Sequence, residues 1–175
     1  MGSPNDPRWP PGIAAYTMIL LTCEGRYLLL KRSETKRFAP GKWTGLGGRI
    51  EQDEFDNVRA AALRELMEEA EITPDQLSTF SLRRSLLHNR PGAPLTLLLY
   101  FTGVLQEPVT PDCPEGMLQW VSRDEIEHLD LIDNAAIVIR ALIEDIARDP
   151  DGRVPVVVGA AHYVIDGSLE RIVWA

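Results

Sequence analysis

The stretch 47–72, GGRIEQDEFDNVRAAALRELMEEAEI, constrains this chain most, because a glycine pair leads directly into an acidic helix. Apolar residues recur at helical spacing from about residue 57, at Val58, Ala62, Leu66 and Ala70. On another stripe of the predicted helix, Glu65, Glu68 and Glu69 stand at i, i+3 and i+4. Like charges at this spacing cost an isolated helix roughly a few tenths of a kcal/mol per pair. The arrangement therefore predicts a hard, oxygen-preferring cation such as magnesium, manganese or calcium.

A simpler explanation competes with the cation, since most glutamate-rich helix faces are solvated surfaces. The residues around this helix favour the cation. Gly47 and Gly48 let the backbone approach a ligand closely, and Arg64 stands directly beside the first carboxylate, Glu65. We therefore interpret the stretch as a binding site.

The stretch resembles the signature of the Nudix hydrolases, G-x5-E-x7-R-E-apolar-x-E-E-x-G-apolar. The matching positions are Gly48, Glu54, Arg64, Glu65, Leu66, Glu68, Glu69 and Ile72. Nine residues separate Glu54 from Arg64 where the signature has seven, which indicates a two-residue insertion before the helix. Asp56 stands at the seven-residue spacing and is interpreted as the helix N-cap, so either Glu54 or Asp56 supports the loop. Glu71 replaces the closing glycine, the residue best suited to a left-handed helix end.

Length and composition allow one domain with a substantial core. The chain has 175 residues, of which 45% are hydrophobic and 25% charged. Residues 1–12 contain four prolines and are predicted to form a flexible arm. A single Nudix-like hydrolase domain is predicted at 13–175. The resemblance implies an α/β (α+β) fold, an α/β/α sandwich with a mixed central sheet.

Net charge and cysteine content indicate which classes of binding partner and which cellular compartment to expect. The net charge of -8 and the pI near 4.9 argue against a nucleic-acid polymer as partner, which would need a dense basic face. Cys23 and Cys113 belong to no CxxC or Cys/His cluster, so we expect free thiols in a reducing compartment and no zinc site. No apolar run reaches membrane-spanning length. We therefore expect a cytoplasmic location and no membrane partner.

Three pairs of apolar runs, each joined by a turn, predict β-hairpins. They are 13–23 with 26–32, 81–89 with 95–105, and 154–166 with 169–174. A short strand is predicted at 117–122, and a helical turn running into a loop at 123–132. The last predicted helix is 134–149, capped by Asn134. Its predicted buried stripe is Ile137, Ala141, Ile143 and Ile146.

The resemblance implies a divalent metal site, for Mg²⁺ or Mn²⁺, built from the acidic helix and two loops. Its implied ligands are the Gly48 carbonyl, Glu65, Glu68, Glu69 and Glu115. A lone glutamate beside a glycine is often simply solvated, and this alternative stays open for Glu115. One carboxylate would accept the proton of the attacking water. Glu65, steadied by Arg64, is the candidate, with Glu68 as the alternative.

The segment 41–51, GKWTGLGGRIE, is similar to the subgroup that cleaves oxidised purine nucleoside triphosphates. In that subgroup the counterpart of Phe38 lies at the base pocket, and Thr44 replaces an asparagine that reads the base. An acidic pair that binds the purine is here Asp133-Asn134, and Leu131 replaces an aromatic platform. The implied substrate-binding residues are Thr17, Arg32, Phe38, Thr44, Gly47, Leu131, Asp133 and Asn134.

Several of these residues also have a simpler structural explanation. Arg32 ends a strand and is equally a solvated residue, while Phe38 is either a packing plug or a stacking face for a base. Asp133 and Asn134 are equally helix caps. His88 stands beside a turn and is expected to be an ordinary surface or strand-end residue.

The implied reaction is metal-dependent hydrolysis of a nucleoside triphosphate, such as an oxidised purine nucleotide, to a nucleoside monophosphate and pyrophosphate. Dinucleoside polyphosphates and nucleoside diphosphate-sugars are alternative substrates, and a nucleotide sensor without catalysis is the rival class. Each of these partners is a small molecule. The sequence leaves open a monomer or a homodimer.

Overall fold

The computed structural model describes residues 13–109 and 112–175. The arm predicted at 1–12 lies outside the described residues. Eight strands form one sheet. They are β1 (Ile13–Cys23), β2 (Arg26–Arg32), β3 (Trp43–Thr44), β4 (Leu77–His88), β5 (Leu95–Leu105), β6 (Gly116–Val121), β7 (Val157–Tyr163) and β8 (Leu169–Trp174). The helices are α1 (Val58–Ala70), α2 (Arg123–Ile126) and α3 (Asp133–Arg148), with single 3-10 turns at Gln52–Glu54 and Pro74–Gln76.

The sheet is mixed, as the resemblance implied. Its order is β3-β2-β1-β5-β4-β7-β8, with β6 paired to β2. All three predicted hairpins are confirmed as antiparallel pairs, β1 with β2, β4 with β5, and β7 with β8. Two parallel pairs, β1 with β5 and β4 with β7, join the hairpins into one sheet.

Helices cover the two faces of the sheet, which gives the α/β/α layers. One core cluster packs Ile19 and Leu21 of β1 against Leu66 of α1. The other packs Leu20, from the opposite face of β1, against Val138 of α3. A strand buried on both faces is largely apolar, which explains the four consecutive apolar residues 18–21 in β1. Among the described residues, no helix is long and apolar enough to cross a membrane.

Helix α1 begins one residue later than the predicted cap implies, and it ends at Glu71 without the glycine of the signature. Its N-cap is Asn57, whose Oδ1 accepts a hydrogen bond from the Ala60 N–H at 3.1 Å. Asp56 is therefore not the cap, because the turn that follows the 3-10 helix delays the start of α1 by one residue. At the other end Glu71 adopts the left-handed conformation itself, with φ of 53°.

Helix α3 also corrects the sequence interpretation. It begins at Asp133 with Ile132 as an N-cap that makes no side-chain capping bond, so Asn134 is inside the first turn and is not the cap. The buried face consists of Ala135, Val138, Ile139, Leu142 and Ile143. Of the predicted stripe, only Ile143 is buried, because the regular i, i+3, i+4, i+7 series starts at Ala135 and leaves Ile137 on the flank, 38% exposed.

Candidate active site

A cavity of about 760 Å³ opens where β1 and β2 separate. These strands pair only near their shared turn, from Leu21–Leu28 to Cys23–Arg26. Further along β1, the segment 46–50 takes the place of β2. The Thr17 N–H donates to the Gly48 carbonyl at 2.8 Å, and the Ile19 N–H donates to the Leu46 carbonyl at 2.7 Å. The glycine loop is thereby fixed to the central sheet and forms one wall of the cavity.

The glycines let this loop contact α1. The Gly47 N–H donates to Glu69 Oε2 at 2.7 Å. A Cβ atom at Gly48 would lie only 2.5 Å from Glu65 Oε2, and one at Gly47 only 2.5 Å from the Thr17 carbonyl oxygen. A side chain at Gly48 would push the loop away from Glu65, and one at Gly47 would push it away from β1.

Arg64 joins the loop to the acidic helix and settles which acid supports it. Its Nε and Nη2 atoms donate to the two oxygens of Glu54 at 2.6 and 3.0 Å. The Nη1 atom lies 2.8 Å from Glu65 Oε1 and 2.9 Å from Glu68 Oε2. The supporting acid is therefore Glu54, and the two extra residues are accommodated between it and the helix. The hydrogen bonds with Arg64 lower the pKa of Glu54 and raise that of Arg64.

Two of the predicted carboxylates are buried side by side at one end of the cavity. Glu65 and Glu69 are 8% and 7% exposed. Burial raises the pKa of Glu69 to about 7, with further contributions from Glu65 and Glu115 that the Gly47 N–H and Arg32 oppose. Burial also raises the pKa of Glu65, against the effect of Arg64. A cation between such groups would relieve both the desolvation and the mutual repulsion.

The remaining predicted metal ligands line the same cavity but bind cations of the chain itself. Glu68 is turned toward Arg64, and Glu115 forms an ion pair of 2.5 Å with Lys36 Nζ. Accordingly, no group of three or more acidic, histidine or cysteine side chains in 13–109 and 112–175 is arranged to hold a metal ion. The Gly48 carbonyl already accepts the Thr17 N–H at 2.8 Å and lies 3.5 Å from the Thr17 hydroxyl, so a cation would take the place of the longer contact. The donors are hard oxygens and fit a divalent cation, provided that Glu68 and Glu115 rotate toward Glu69.

The predicted substrate residues divide into those at the cavity and those away from it. Thr17, Arg32, Phe38, Thr44, Gly47 and Asn134 line it. Leu131 is instead a core residue, 6% exposed and bridged to Trp43, so the structure does not support a role for it at the base pocket. Asp133 lies on a smaller adjoining cavity of about 190 Å³ and pairs with Lys42 Nζ at 3.7 Å.

The contact between Arg32 and Phe38 decides between the alternative roles that the sequence left open for them. Phe38 is 59% exposed and is therefore not a packing plug. The Arg32 guanidinium lies 5.9 Å from its ring centroid, and Arg32 Nε donates to the Phe38 carbonyl at 3.0 Å. Arg32 thus faces the cavity and holds the loop that carries an exposed aromatic face.

Sequence reasoning found Asn134 but missed the other residues at the far end of the cavity. His88 is the last residue of β4, as expected of a strand-end residue, but it is only 8% exposed, and its Nδ1 is hydrogen-bonded to the Tyr163 hydroxyl. Nearby, Asn134 Nδ2 donates to the Tyr100 hydroxyl at 3.4 Å. The period of two along β4 was the available signal, because it puts His88 on the same face as buried Arg84 and Leu86. The contribution of Tyr163 depends on β7 pairing with β4, which local pattern does not reveal.

The fold and this site define a class of α/β proteins with an acidic helix beside a glycine loop, and comparison with known proteins identifies the family. The model of the NUDIX domain matches residues 11–143, and the chain belongs to this family. Nudix hydrolases generally use divalent metal ions.

Individual relatives are more distant. The chain is 39% identical over 61 residues to an oxidized purine nucleoside triphosphate hydrolase from Danio rerio, a match that covers 35% of this chain and 36% of that protein. The match therefore spans about a third of the length of this curated relative. The fold is similar to the MutT protein of Bacillus halodurans, with a TM-score of 0.69, 20% identity, and coverage of 92% of this chain and 97% of the other. It is also similar to the NUDIX domain of Shewanella oneidensis NrtR complexed with ADP ribose, with a TM-score of 0.67, 16% identity, and coverage of 81% and 93%.

Proposed function

We propose that this protein is a Mg²⁺- or Mn²⁺-dependent hydrolase that converts a nucleoside triphosphate to a nucleoside monophosphate and pyrophosphate. The observation that carries the proposal is that the two ends of a single cavity differ in their chemical groups. Buried carboxylates and the glycine loop line one end, while tyrosines, His88 and Asn134 line the other. A nucleotide has the same two-ended chemistry, a polyphosphate that needs cations and a base that needs stacking and hydrogen bonds. The partial match to an oxidised-purine hydrolase favours an oxidised purine among triphosphate substrates.

The ion would be held by Glu65, Glu68, Glu69, Glu115 and the Gly48 carbonyl. When bound, it supplies charge neutralisation for the phosphates and acidifies a water. Glu65 accepts the proton of that water, and Arg64 fixes the position of the acceptor through the 2.8 Å ion pair. The water oxygen forms a bond to phosphorus as the bond to the leaving phosphate oxygen breaks. Arg32, facing the same cavity, contacts the phosphates.

The test is a panel of nucleoside triphosphates assayed with Mg²⁺ and Mn²⁺, with product analysis to show which phosphate bond breaks. The Glu69→Gln substitution should lower turnover by several orders of magnitude, because it removes a charged ligand from the ion. Glu144→Gln is the matched control, since Glu144 is exposed on α3, outside the residues that line the cavity. Near-normal Mg²⁺-dependent hydrolysis by Glu69→Gln would refute the metal assignment.

A nucleotide sensor is the second candidate, and the ion pairs of Glu68 and Glu115 with cations of the chain favour it. Binding of nucleotides or ADP-ribose without any phosphate product over an hour with Mg²⁺ would identify the sensor. Dinucleoside polyphosphates and nucleoside diphosphate-sugars belong in the same panel. We further propose that the domain spans 13–175 and works in the cytoplasm as a monomer or homodimer.

A further inference from the structure

We propose that His88 is a specificity residue, which donates its Nε2–H to a carbonyl oxygen on the base of the substrate. The inference rests on the proposed function in one respect, that the ligand of this cavity carries a nucleobase. Among the described residues, His88 Nε2 is a buried side-chain nitrogen without a hydrogen-bond partner. A buried polar atom without a partner costs about 1–3 kcal/mol. This cost is offset if the atom binds a ligand in the cavity that its own ring lines.

The surroundings of His88 determine which form the ring takes. Burial lowers the pKa of His88 to about 4, with a further contribution from the charge of Arg90, so the ring is neutral. A neutral imidazole carries one N–H and one acceptor nitrogen. The partner on Nδ1 therefore decides whether Nε2 donates or accepts.

Tyr163 is that partner, and Arg90 lies over its ring. The Arg90 guanidinium is 5.0 Å from the Tyr163 ring centroid, and its charge opposes the rise in the pKa of Tyr163 that burial causes. The Tyr163 hydroxyl is hydrogen-bonded to His88 Nδ1. We assign the hydroxyl proton to this bond, so Nδ1 accepts and the ring proton is on Nε2.

A donor at this position selects bases by their functional groups. Nε2–H pairs with the carbonyl oxygen of an oxopurine and not with the amino group of an adenine-type base. Asn134 complements it from the same cavity. Because its Nδ2 is directed to the Tyr100 hydroxyl, its Oδ1 is the atom left to accept a ring N–H. A carbonyl beside an N–H, the lactam edge of an oxopurine, meets both requirements.

Access to Nε2 requires a movement of the cavity wall, since the atom is closed to solvent. Arg90 is exposed and lines the cavity close to His88. Exposed side chains change rotamer within picoseconds to nanoseconds. A small shift of the side chains that line this end of the cavity would expose the ring nitrogen without any change in the backbone.

The experiment compares two nucleotides that differ in the lactam edge alone, the 5′-monophosphates of inosine and of purine riboside. NMR titration gives both dissociation constants for the wild-type protein, His88→Leu, His88→Gln and Tyr163→Phe. Loss of one hydrogen bond that leaves the carbonyl unpaired should weaken inosine monophosphate binding to His88→Leu about tenfold. Purine riboside monophosphate should change less than about twofold. His88→Gln, whose amide N–H reaches the same position, should keep most of the preference, and Tyr163→Phe should lose part of it.

Several outcomes would overturn the inference. These are equal weakening of both ligands by His88→Leu, an unchanged preference in that variant, or a wild-type protein that binds neither ligand. The ¹⁵N shifts of the His88 ring give an independent readout, since a proton on Nδ1 instead of Nε2 would also overturn it. Monophosphates contain no bond that the proposed reaction breaks. A protein that shows the predicted preference but hydrolyses no nucleotide would refute the proposed function and leave this inference standing.

Discussion

At the residue scale, Glu71 carries a conformational cost that glycine would not have. Its φ of 53° is in the left-handed region, where a side chain is disfavoured. We expect Glu71→Gly to raise the free energy of unfolding by about 0.5–1 kcal/mol, measured by urea denaturation. Glu144→Gly, at an ordinary position inside α3, should lower it by about 1 kcal/mol. The same sign for both substitutions would contradict the explanation.

The free energy of unfolding depends on pH through Glu69, and the raised pKa of this residue determines whether stability rises or falls with pH. The folded pKa of about 7 exceeds the unfolded value near 4.5, so between these values the folded state binds more protons than the unfolded state. Stability should therefore fall as pH rises through this window. In EDTA at pH 8, Glu69→Gln should be more stable than the wild-type protein by up to about 3 kcal/mol, and the difference should shrink toward pH 4.5. Denaturation curves at several pH values test this, and a gap that widens toward low pH would refute it.

At the scale of elements, the loop between β2 and β3 supplies a cation that competes for the predicted metal site. Lys36 binds Glu115, whereas Lys42 binds Asp130 and Asp133 away from the acidic helix. We expect Lys36→Met to strengthen Mn²⁺ binding a few-fold, because the metal no longer displaces an ammonium group. Lys42→Met is the matched control and should leave it unchanged. Calorimetric titration with Mn²⁺ measures both, and weaker binding to Lys36→Met would be contrary evidence.

Helix α3 is tied to the sheet by a buried ion pair. Arg84 of β4 donates from Nε and Nη2 to Asp145 at 2.6 and 2.8 Å, and its guanidinium lies 4.6 Å from the Trp174 ring centroid. Asp145→Ala would leave a buried cation unpaired and should cost about 3–5 kcal/mol of unfolding free energy. The double variant Arg84→Met/Asp145→Leu should recover most of this loss, because it removes both charges. Urea denaturation compares the two, and equal losses would contradict the assignment.

At the scale of the whole molecule, His88 makes the junction of β4, β7 and the cavity sensitive to acid. Its folded pKa of about 4 is below the unfolded value near 6.5, so the unfolded state binds the proton first as pH falls. This contribution to stability is complete above about pH 6.5 and is lost progressively toward pH 4. The groups that act on it are the charge of Arg90 and the hydroxyl of Tyr163. His88→Gln should flatten the decline in melting temperature across this window, and an unchanged slope would argue against a neutral buried ring.

The local sequence pattern was sufficient to predict most of the fold. Hairpins are joined by short turns, so the three pairs could be predicted from apolar runs alone. The parallel pairs β1–β5 and β4–β7 join residues far apart in sequence, and no local signal specifies them. For the same reason the metal end of the cavity, made largely by one helix and one loop, was predictable, whereas the His88–Tyr163 end was not.

The spacing of the signature left one acid undecided. Counting seven residues back from Arg64 reaches Asp56, but the arginine binds Glu54 through two hydrogen bonds. The added length lies in the turn at 55–57, between the 3-10 helix Gln52–Glu54 and the start of α1, and spacing alone does not predict the geometry of this turn. The assignment of Leu131 to the base pocket was wrong for a different reason. Leu131 packs in the core beside Trp43 and not at the cavity.

The backbone bonds between β1 and the segment 46–50 have a consequence for how any ligand enters. Amide groups paired with a central strand exchange with solvent mainly when the strand itself opens. The Gly47–Gly48 corner should therefore stay fixed while a ligand binds, since the Gly48 carbonyl is bonded to β1. We expect a ligand to enter past the exposed side chains of Phe38 and Arg90, which line the same cavity.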